Sequence, residues 1–262
     1  MTAFVHSSIS RNIASVTLQR PDLHNAFNEV VMQELTEAFR VAGADRGVRA
    51  IVLKAEGKSF CAGADVNWMK RMVDFSFEEN VQDANVLANM LRTIRECPKP
   101  VIARVHGAAI GGGVGLVAAC DLAAAVAPTT FCLSEVKLGI IPAVISPCVL
   151  EKIGMGHLRR YALTAERFDA AEAKRIGLVH EVVPDVAALD VWIDEQIKLI
   201  TANGPEALAA CKQTLRDVAA AGGDWDRVQA LTTLRIAERR ISAEGQEGLK
   251  SFLDKREPRW TQ

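Results

Sequence analysis

Three successive glycines, Gly111 to Gly113, follow a short β-branched run and open an apolar helix in the segment PVIARVHGAAIGGGVGL, residues 100–116. A strand that ends at a glycine-rich helix start leaves backbone N–H groups unpaired and pointing outward. The helix dipole adds positive potential at the same place. Such a junction can stabilise an oxygen on which negative charge develops, so the pattern predicts chemistry on a carbonyl group such as that of a thioester.

A second glycine-containing turn, CAGAD at residues 61–65, follows another predicted strand. If the two turns lie side by side, one N–H group from each can converge on a single oxygen. Two such donors form an oxyanion hole, and loss of one donor costs an enzyme roughly 3–4 kcal/mol of transition-state stabilisation. The alternative is that these glycines only allow a helix to pack tightly against a sheet. The residue types alone leave both interpretations open.

The elements that must position these turns alternate along the first part of the chain. Runs rich in β-branched residues predict strands at residues 13–19, 50–55 and 101–105. Helical spacing predicts helices at residues 28–44, begun by Asn25 or Asn28 as the N-cap, and at residues 77–96. This order implies right-handed crossovers, so we expect an α/β fold.

After Pro184 the pattern becomes purely helical. Helices are predicted at residues 189–202, 205–220, 225–241 and 243–255. Asn203 and Gly204 form a stop signal, and Pro205 suits the first turn of the next helix. We therefore expect an α/β core at residues 1–195 and a helical C-terminal region at residues 196–262.

The composition argues against several classes of function. The chain has 262 residues, 49% of them hydrophobic, which is enough for one large core. Its 31 basic and 32 acidic residues leave a net charge of −1, so no global basic field favours nucleic acid or an anionic membrane. The six cysteines are scattered, which argues against a zinc site or a disulfide framework. Without a leader-like start or a long apolar stretch, we expect a cytoplasmic protein.

Seven segments, in the same order along the chain, resemble those of the enoyl-CoA hydratase/isomerase, or crotonase, superfamily. They are RPDLHNAF (20–27), FCAGAD (60–65), PVIARVHGAAIGGGVGL (100–116), ACDLAAA (119–125), FCLSEVKLGIIP (131–142), RRYALTAERFDAAEAKRIGLVHEVVP (159–184) and EGLKSFLDKREPRW (247–260). The resemblance implies a spiral of ββα turns and a helical C-terminal region that builds trimers, often dimers of trimers. It also implies a bound acyl-CoA substrate, with no metal and no separate cofactor.

The resemblance assigns roles to individual residues. The oxyanion-hole donors would be the backbone N–H groups of Ala64 and Gly112, which hold the thioester oxygen as an enolate develops. The residues expected to line the groove for CoA and substrate are Ala62, Asp65, Val66 and Asn67. Those expected near the adenine or phosphate portion, in the same or a neighbouring subunit, are His24, Ala26, Phe252 and Lys255.

Hydratases of this family commonly use two glutamates that share one water, and this chain matches only one of them. The second glutamate maps onto Glu135 in SEVKLG, whereas the first maps onto Gly115, which cannot do acid–base work. Glu135 would act as base and acid in turn, which a pKa near neutrality suits. The apolar residues expected to raise this pKa are Phe131, Leu133, Leu138 and Ile140.

The resemblance implies reversible hydration of the Cα=Cβ bond of an enoyl-CoA, in leucine, isoprenoid or fatty-acid breakdown. The segments GADVNWMKRM, SEVKLG and IIPAVISP are most similar to bacterial hydratases of branched glutaconyl-type substrates, such as 3-methylglutaconyl-CoA, in leucine or isoprenoid breakdown. Because Gly115 replaces a glutamate, two alternatives stay open. One is a Δ3,Δ2-enoyl-CoA isomerase that uses Glu135 alone, and the other is a non-catalytic acyl-CoA-binding protein.

A glutaconyl-type substrate carries a terminal carboxylate, so its pocket should offer a cation or several hydrogen-bond donors. Lys70, Arg71 and Lys137 are candidates, and the alternative for each is an exposed surface charge. Four further residues of reactive or aromatic type are interpreted as structural: Trp68, Met69, His106 and Asp121.

Overall fold

Two β-sheets organise residues 3–261, the part of the chain that the computed structural model describes. The larger sheet has six strands in the order β1 (Val5–Ser10), β2 (Ile13–Leu18), β3 (Ala50–Ala55), β4 (Val101–Val105), β6 (Leu122–Val126) and β9 (Glu181–Val183). The smaller sheet has three, in the order β5 (Ala108–Ile110), β7 (Thr130–Cys132) and β8 (Phe168–Asp169). β1 pairs antiparallel with β2, and β7 with β8, whereas the remaining pairs are parallel. The predicted α/β class is confirmed.

The helices follow the strands along the chain. They are α1 (Glu29–Ala44), α2 (Val66–Met72), α3 (Phe77–Glu96), α4 (Gly112–Ala119), α5 (Ser146–Thr164), α6 (Ala170–Arg175), α7 (Val186–Thr201), α8 (Pro205–Ala220), α9 (Trp225–Ile241) and α10 (Ala243–Leu253). Asn28 is the N-cap of α1, since its side chain accepts a hydrogen bond from the N–H of Val31. The Asn25 side chain instead accepts a hydrogen bond from the N–H of Arg20 and donates to the carbonyl oxygens of Glu56 and Ser59.

The central strands are buried on both faces, which is why they are continuous apolar runs in the sequence. Ile51 and Leu53 of β3 belong to the main core with α1 and α3. Ala50 and Val52 point the other way and pack with Ile193 of α7. The larger sheet is therefore covered by helices on both sides.

The strand β4 does not run directly into the glycine triplet as the sequence pattern predicted. It ends at Val105, and the chain turns at Gly107 into β5 of the smaller sheet. Gly107 has φ +69°, and a Cβ there would lie 1.9 Å from the carbonyl oxygen of Lys58, so only glycine fits this crossing. The short strand β5 is thus the one that enters α4.

The predicted boundary at residues 195 and 196 falls inside α7. Leu189, Ile193 and Ile200 lie on one face of this helix and pack against the larger sheet. α7 therefore belongs to the core, and the change to a helical region comes after Thr201. Ends of predicted elements differ by a few residues elsewhere, as at α10, which ends at Leu253.

Across residues 3–261, no helix has the length and apolarity needed to cross a bilayer.

Candidate active site

The two glycine turns lie next to each other and share backbone hydrogen bonds. Cys61 donates its N–H to the carbonyl oxygen of Ala108 over 3.0 Å and accepts from the N–H of Ile110 over 2.9 Å. A Cβ added at Gly63 would lie 3.8 Å from the backbone nitrogen of Gly112. The two turns therefore lie side by side in the fold.

The N–H groups of Ala64 and Gly112 are available at this junction. Phe27 pairs with the neighbours of Ala64: it donates to the carbonyl oxygen of Gly63 and accepts from the N–H of Asp65, each over 2.9 Å. Within residues 3–261 the N–H of Ala64 itself has no protein acceptor. Gly112 is the first residue of α4, so its N–H has no acceptor in the helix. The helix dipole adds positive potential there.

Phe27 packs directly beneath the glycine triplet. A Cβ added at Gly112 would lie 2.2 Å from Cζ of the Phe27 ring, so a larger residue would clash. The same ring lies 6.3 Å, centroid to centroid, from the indole of the buried Trp68. The Phe27 ring therefore packs against both Gly112 and Trp68 of α2.

A buried ion pair supports the turn that carries Ala64. Nη2 of Arg20 lies 2.8 Å from Oδ2 of Asp65. Oδ1 of Asp65 accepts from the backbone N–H groups of Asn67 and Trp68 and so caps α2. Burial alone would raise the pKa of Asp65, but Arg20 and the two backbone donors hold it below its ordinary value. Because this carboxylate is fully engaged, any contact of Asp65 with CoA would use its backbone.

Glu135 lies beside the same junction, at the start of a 3₁₀ helix, Glu135–Leu138, that follows β7. Its Oε1 lies 3.1 Å from the place where a Cβ of Gly111 would stand. Its Oε2 is buried and has no hydrogen-bond partner in the described part of the chain. Burial raises the pKa of Glu135, and the N–H of its own backbone partly opposes this. A carboxyl group that can exchange protons thus stands next to the free amides.

A cavity of about 520 Å³ joins Ala64, Gly112 and Glu135, a volume typical of small-molecule sites. Most of its other lining residues are apolar and come from α2, α3 and the loop before α5. They include Trp68, Met69, Met72, Leu87, Leu138, Ile140, Ile141 and Ile145. Phe131 and Leu133, expected to surround Glu135, belong to the protein core instead. A larger cleft of about 1210 Å³, between the outer face of β1–β3 and α7, contains neither the two amides nor Glu135.

The position of the absent glutamate is filled by another side chain. A Cβ added at Gly115 would lie 2.6 Å from Cγ2 of Ile145 and 3.7 Å from Cδ1 of Leu91. Ile145 is 2% exposed, and its side chain fills this space. The wall of the cavity at Gly115 is therefore apolar, and Ile145 closes the place from which a second carboxylate would act.

The residues expected near CoA fall into two groups. The turn at His24 and Ala26 lies beside the CAGAD turn, since the carbonyl oxygen of His24 accepts from the N–H of Ala62 over 2.9 Å. Val66 and Asn67 are exposed on the first turn of α2. Phe252 and Lys255, on or just after α10, are exposed and lie away from this turn in the sequence. Of the residues expected near CoA and substrate, only Ala62 lines the cavity.

The three candidate cations are exposed and do not line the cavity of this chain: Lys70, Arg71 and Lys137. The structural interpretations of His106 and Asp121 hold. Nε2 of His106 lies 2.9 Å from the carbonyl oxygen of Gly57, and Asp121 accepts from the N–H of Val101 and from Lys212. Trp68 and Met69 are packing residues that also form cavity wall.

Sequence reasoning missed Asp83, whose side chain lines the cavity from α3. Nε1 of Trp68 donates to Oδ1 of Asp83 over 2.9 Å. A signal was present, because Asp83, Leu87 and Leu91 are spaced four residues apart and so share one helix face. An acidic residue in the apolar stripe of a helix indicates a functional position.

This spiral of strands and helices, with two free amides at a strand–helix junction, defines an enzyme of the crotonase class, which acts on acyl-CoA thioesters. Residues 8–262 match the family model of enoyl-CoA hydratase/isomerase, and the chain belongs to that family.

Solved structures and curated relatives agree with this assignment. An enoyl-CoA hydratase from Shewanella pealeana is similar with a TM-score of 0.95 and 40% identity, covering 98% of this chain and 96% of that one. An enoyl-CoA hydratase from Mycobacterium smegmatis gives a TM-score of 0.91 and 32% identity, with 99% of both chains covered. The mitochondrial Delta(3,5)-Delta(2,4)-dienoyl-CoA isomerase of Dictyostelium discoideum is 31% identical, covering 94% of this chain and 86% of its own. The protein is an enzyme of the enoyl-CoA hydratase type.

Proposed function

We propose that this enzyme reversibly adds water across the Cα=Cβ bond of an enoyl-CoA, with Glu135 as its acid–base residue. The observation that carries the proposal is the position of the Glu135 carboxyl group, which lines the same cavity as Ala64 and Gly112 and whose Oε2 is buried without a hydrogen-bond partner among residues 3–261. A carboxyl group with a raised pKa next to an oxyanion hole suits proton transfer to and from an enolate.

Each group has a defined task in this mechanism. The N–H groups of Ala64 and Gly112 bind the thioester oxygen and stabilise the enolate that forms as Cβ is attacked. Ionised Glu135 takes one proton from water while the water oxygen bonds to Cβ. The protonated Glu135 then returns that proton to Cα, and the thioester carbonyl re-forms. Water is thus added without any other reactant.

One carboxyl group does both proton transfers because Gly115 stands where the resemblance expects the other glutamate, and Ile145 fills the space beside it. Water oxygen and proton should consequently reach the same face of the double bond. The second candidate, a Δ3,Δ2-enoyl-CoA isomerase, is favoured by the same observation, since moving a double bond needs only one proton carrier. A non-catalytic acyl-CoA-binding protein is the third.

One experiment separates these functions. The protein is mixed with a 2-enoyl-CoA and, separately, with a 3-enoyl-CoA, while the absorbance of the conjugated thioester is followed. Hydration removes conjugation from the first substrate, whereas isomerisation creates it in the second. Glu135→Gln should lower the rate about 100-fold or more, because glutamine cannot exchange the proton. Tight binding without turnover, or turnover that survives this substitution, would contradict the proposal.

The finer part of the proposal concerns substrate and setting. The resemblance of three segments supports a branched glutaconyl-type substrate such as 3-methylglutaconyl-CoA, used in leucine or isoprenoid breakdown in the cytoplasm. We further propose a homotrimer or a dimer of trimers. Large apolar side chains on the C-terminal helices support this assembly, because they are highly exposed in one chain: Trp225, Ile241, Phe252 and Leu253.

A further inference from the structure

Asp83 is a carboxyl group of the cavity wall that the proposed reaction does not use. It lies on α3, eight residues before Leu91, which approaches the Cβ position of Gly115. Eight residues of helix span about 12 Å. Asp83 is therefore too far along α3 to replace the glutamate that is absent at Gly115, and it stands at a different part of the wall.

The Asp83 side chain is held in place. Nε1 of Trp68 donates to its Oδ1 over 2.9 Å, and Trp68 is itself only 4% exposed. The facing loop, residues 140–145, brings only apolar side chains to the cavity. An acyl group that fills the cavity would therefore meet a fixed carboxyl group there.

The charges around Asp83 leave an excess of negative charge. Glu29 on α1 and Arg71 on α2 are its charged neighbours, and Arg71 forms an ion pair with Glu29. Burial raises the pKa of Asp83, the hydrogen bond from Trp68 opposes this rise, Glu29 adds to it and Arg71 reduces it. The cavity lining of the described chain contains no lysine or arginine that could neutralise a second carboxylate.

We infer that Asp83 determines the charge specificity of the acyl site: an acyl group that ends in a carboxylate binds with uptake of one proton, shared with Asp83, whereas an uncharged acyl group binds without proton uptake. Two neighbouring carboxylates in an apolar cavity do not both stay ionised, because their repulsion adds to the cost of burial. This inference rests on the proposed action on enoyl-CoA.

A matched pair of substrates tests whether Asp83 determines the charge specificity of the acyl site. 3-Methylglutaconyl-CoA and 3-methylcrotonyl-CoA share their branching and differ in the terminal carboxylate. We expect the ratio of their KM values, carboxylated over uncharged, to rise by up to tenfold per pH unit above the pKa of Asp83. Both substrates carry CoA and react at Glu135, so the effects on KM of titrating the CoA phosphates and Glu135 cancel in the ratio. In Asp83→Asn the amide donates to the tail without a proton from solvent, so the ratio should be independent of pH and at least tenfold lower than wild type at pH 8.

The control is Asp74→Asn, which removes the same charge from an exposed residue outside the cavity lining. Its KM ratio should follow the wild type. Asparagine at position 83 still offers Trp68 an acceptor, so the circular dichroism spectrum and the melting temperature of Asp83→Asn should match those of the wild type. A wild-type ratio that does not change with pH, or an Asp83→Asn ratio equal to the wild type, would overturn the inference.

Failure of the proposed function would look different. In that case neither thioester would lose conjugation with any variant. The dissociation constants of the same two thioesters, measured by calorimetry over the same pH range, would then replace KM and give the same decisive ratio.

Discussion

At the scale of single residues, Gly115 and Ile145 form a complementary pair. Gly115→Ala would place a methyl group 2.6 Å from Cγ2 of Ile145, and overpacking of this kind costs about 1–3 kcal/mol. Ile145→Ala would leave a void and cost about 2–5 kcal/mol. We expect the double variant to lose less stability than the sum of the two, because each change relieves the other. Urea unfolding of all four proteins measures this coupling, and strict additivity would contradict it.

Ionised Glu135 should lower the free energy of unfolding at neutral pH. Its pKa is raised by burial in the folded state, so ionised Glu135 destabilises folding above that pKa, and this effect disappears as the pH falls below the unfolded value. Glu135→Gln should therefore raise the melting temperature at pH 7, with a gain that shrinks towards pH 4.5. Thermal unfolding at both pH values measures this. An equal gain at both would contradict the assigned cause.

Residue types alone indicated two glycine turns after strands but left open whether they form an oxyanion hole, and only the resemblance to the family pointed to the N–H groups of Ala64 and Gly112. The environment of Glu135 was predicted only in part. Leu138 and Ile140 do line the cavity, but Phe131 and Leu133 do not. Nor could the sequence show that Ile145 fills the place next to Gly115, since these residues meet through packing of α4 against the start of α5.

At the scale of elements, Asp65 joins α2 to the turn that carries Ala64. Asp65→Ala would remove the N-cap of α2 and leave Arg20 without its partner, a type of loss that costs about 3–5 kcal/mol. The rate of hydration should fall as well, because the N–H of Ala64 would move relative to Gly112. Asp65→Asn keeps an acceptor for the cap and should be intermediate in both respects. Urea unfolding and kcat measure these effects, and a loss below about 1 kcal/mol would contradict the role.

Elements with many local signals were predicted well, and short strands were not. α3 begins and ends where its spacing and the CPKP segment placed it, at Phe77–Glu96. β5, β7 and β8 have only 3, 3 and 2 residues, too few to show an alternating pattern. Their pairing is decided by contacts between distant parts of the chain, so no local pattern could have indicated the smaller sheet.

At the scale of the whole molecule, the C-terminal helices are held to the core by hydrogen bonds but expose apolar side chains to solvent. Lys212 of α8 donates to Asp121, and the guanidinium of Arg49 donates to the carbonyl oxygens of Thr201, Asn203 and Trp260. α8 and α9 contain no buried residue in one chain. This region therefore has a fixed position and an uncovered surface, as the proposed assembly requires.

We expect light scattering after size-exclusion chromatography to give three or six times the mass of one chain. Phe252→Asp should shift the protein towards smaller species, because a charge would have to be buried in the contact between copies. Lys58→Asp, which changes charge on an exposed loop, is the control and should keep the assembly. A wild-type protein that elutes as a monomer would contradict the proposed trimer.

The groups proposed to polarise the substrate are main-chain amides, and this has a consequence for how such a catalyst can diversify. No exchange of a side chain deletes a peptide N–H, save for proline. Genetic variation can therefore remodel proton transfer around Glu135 and selectivity around Asp83 without removing the two N–H groups proposed to polarise the thioester. New activities can therefore arise by changing the side chains around these two amides.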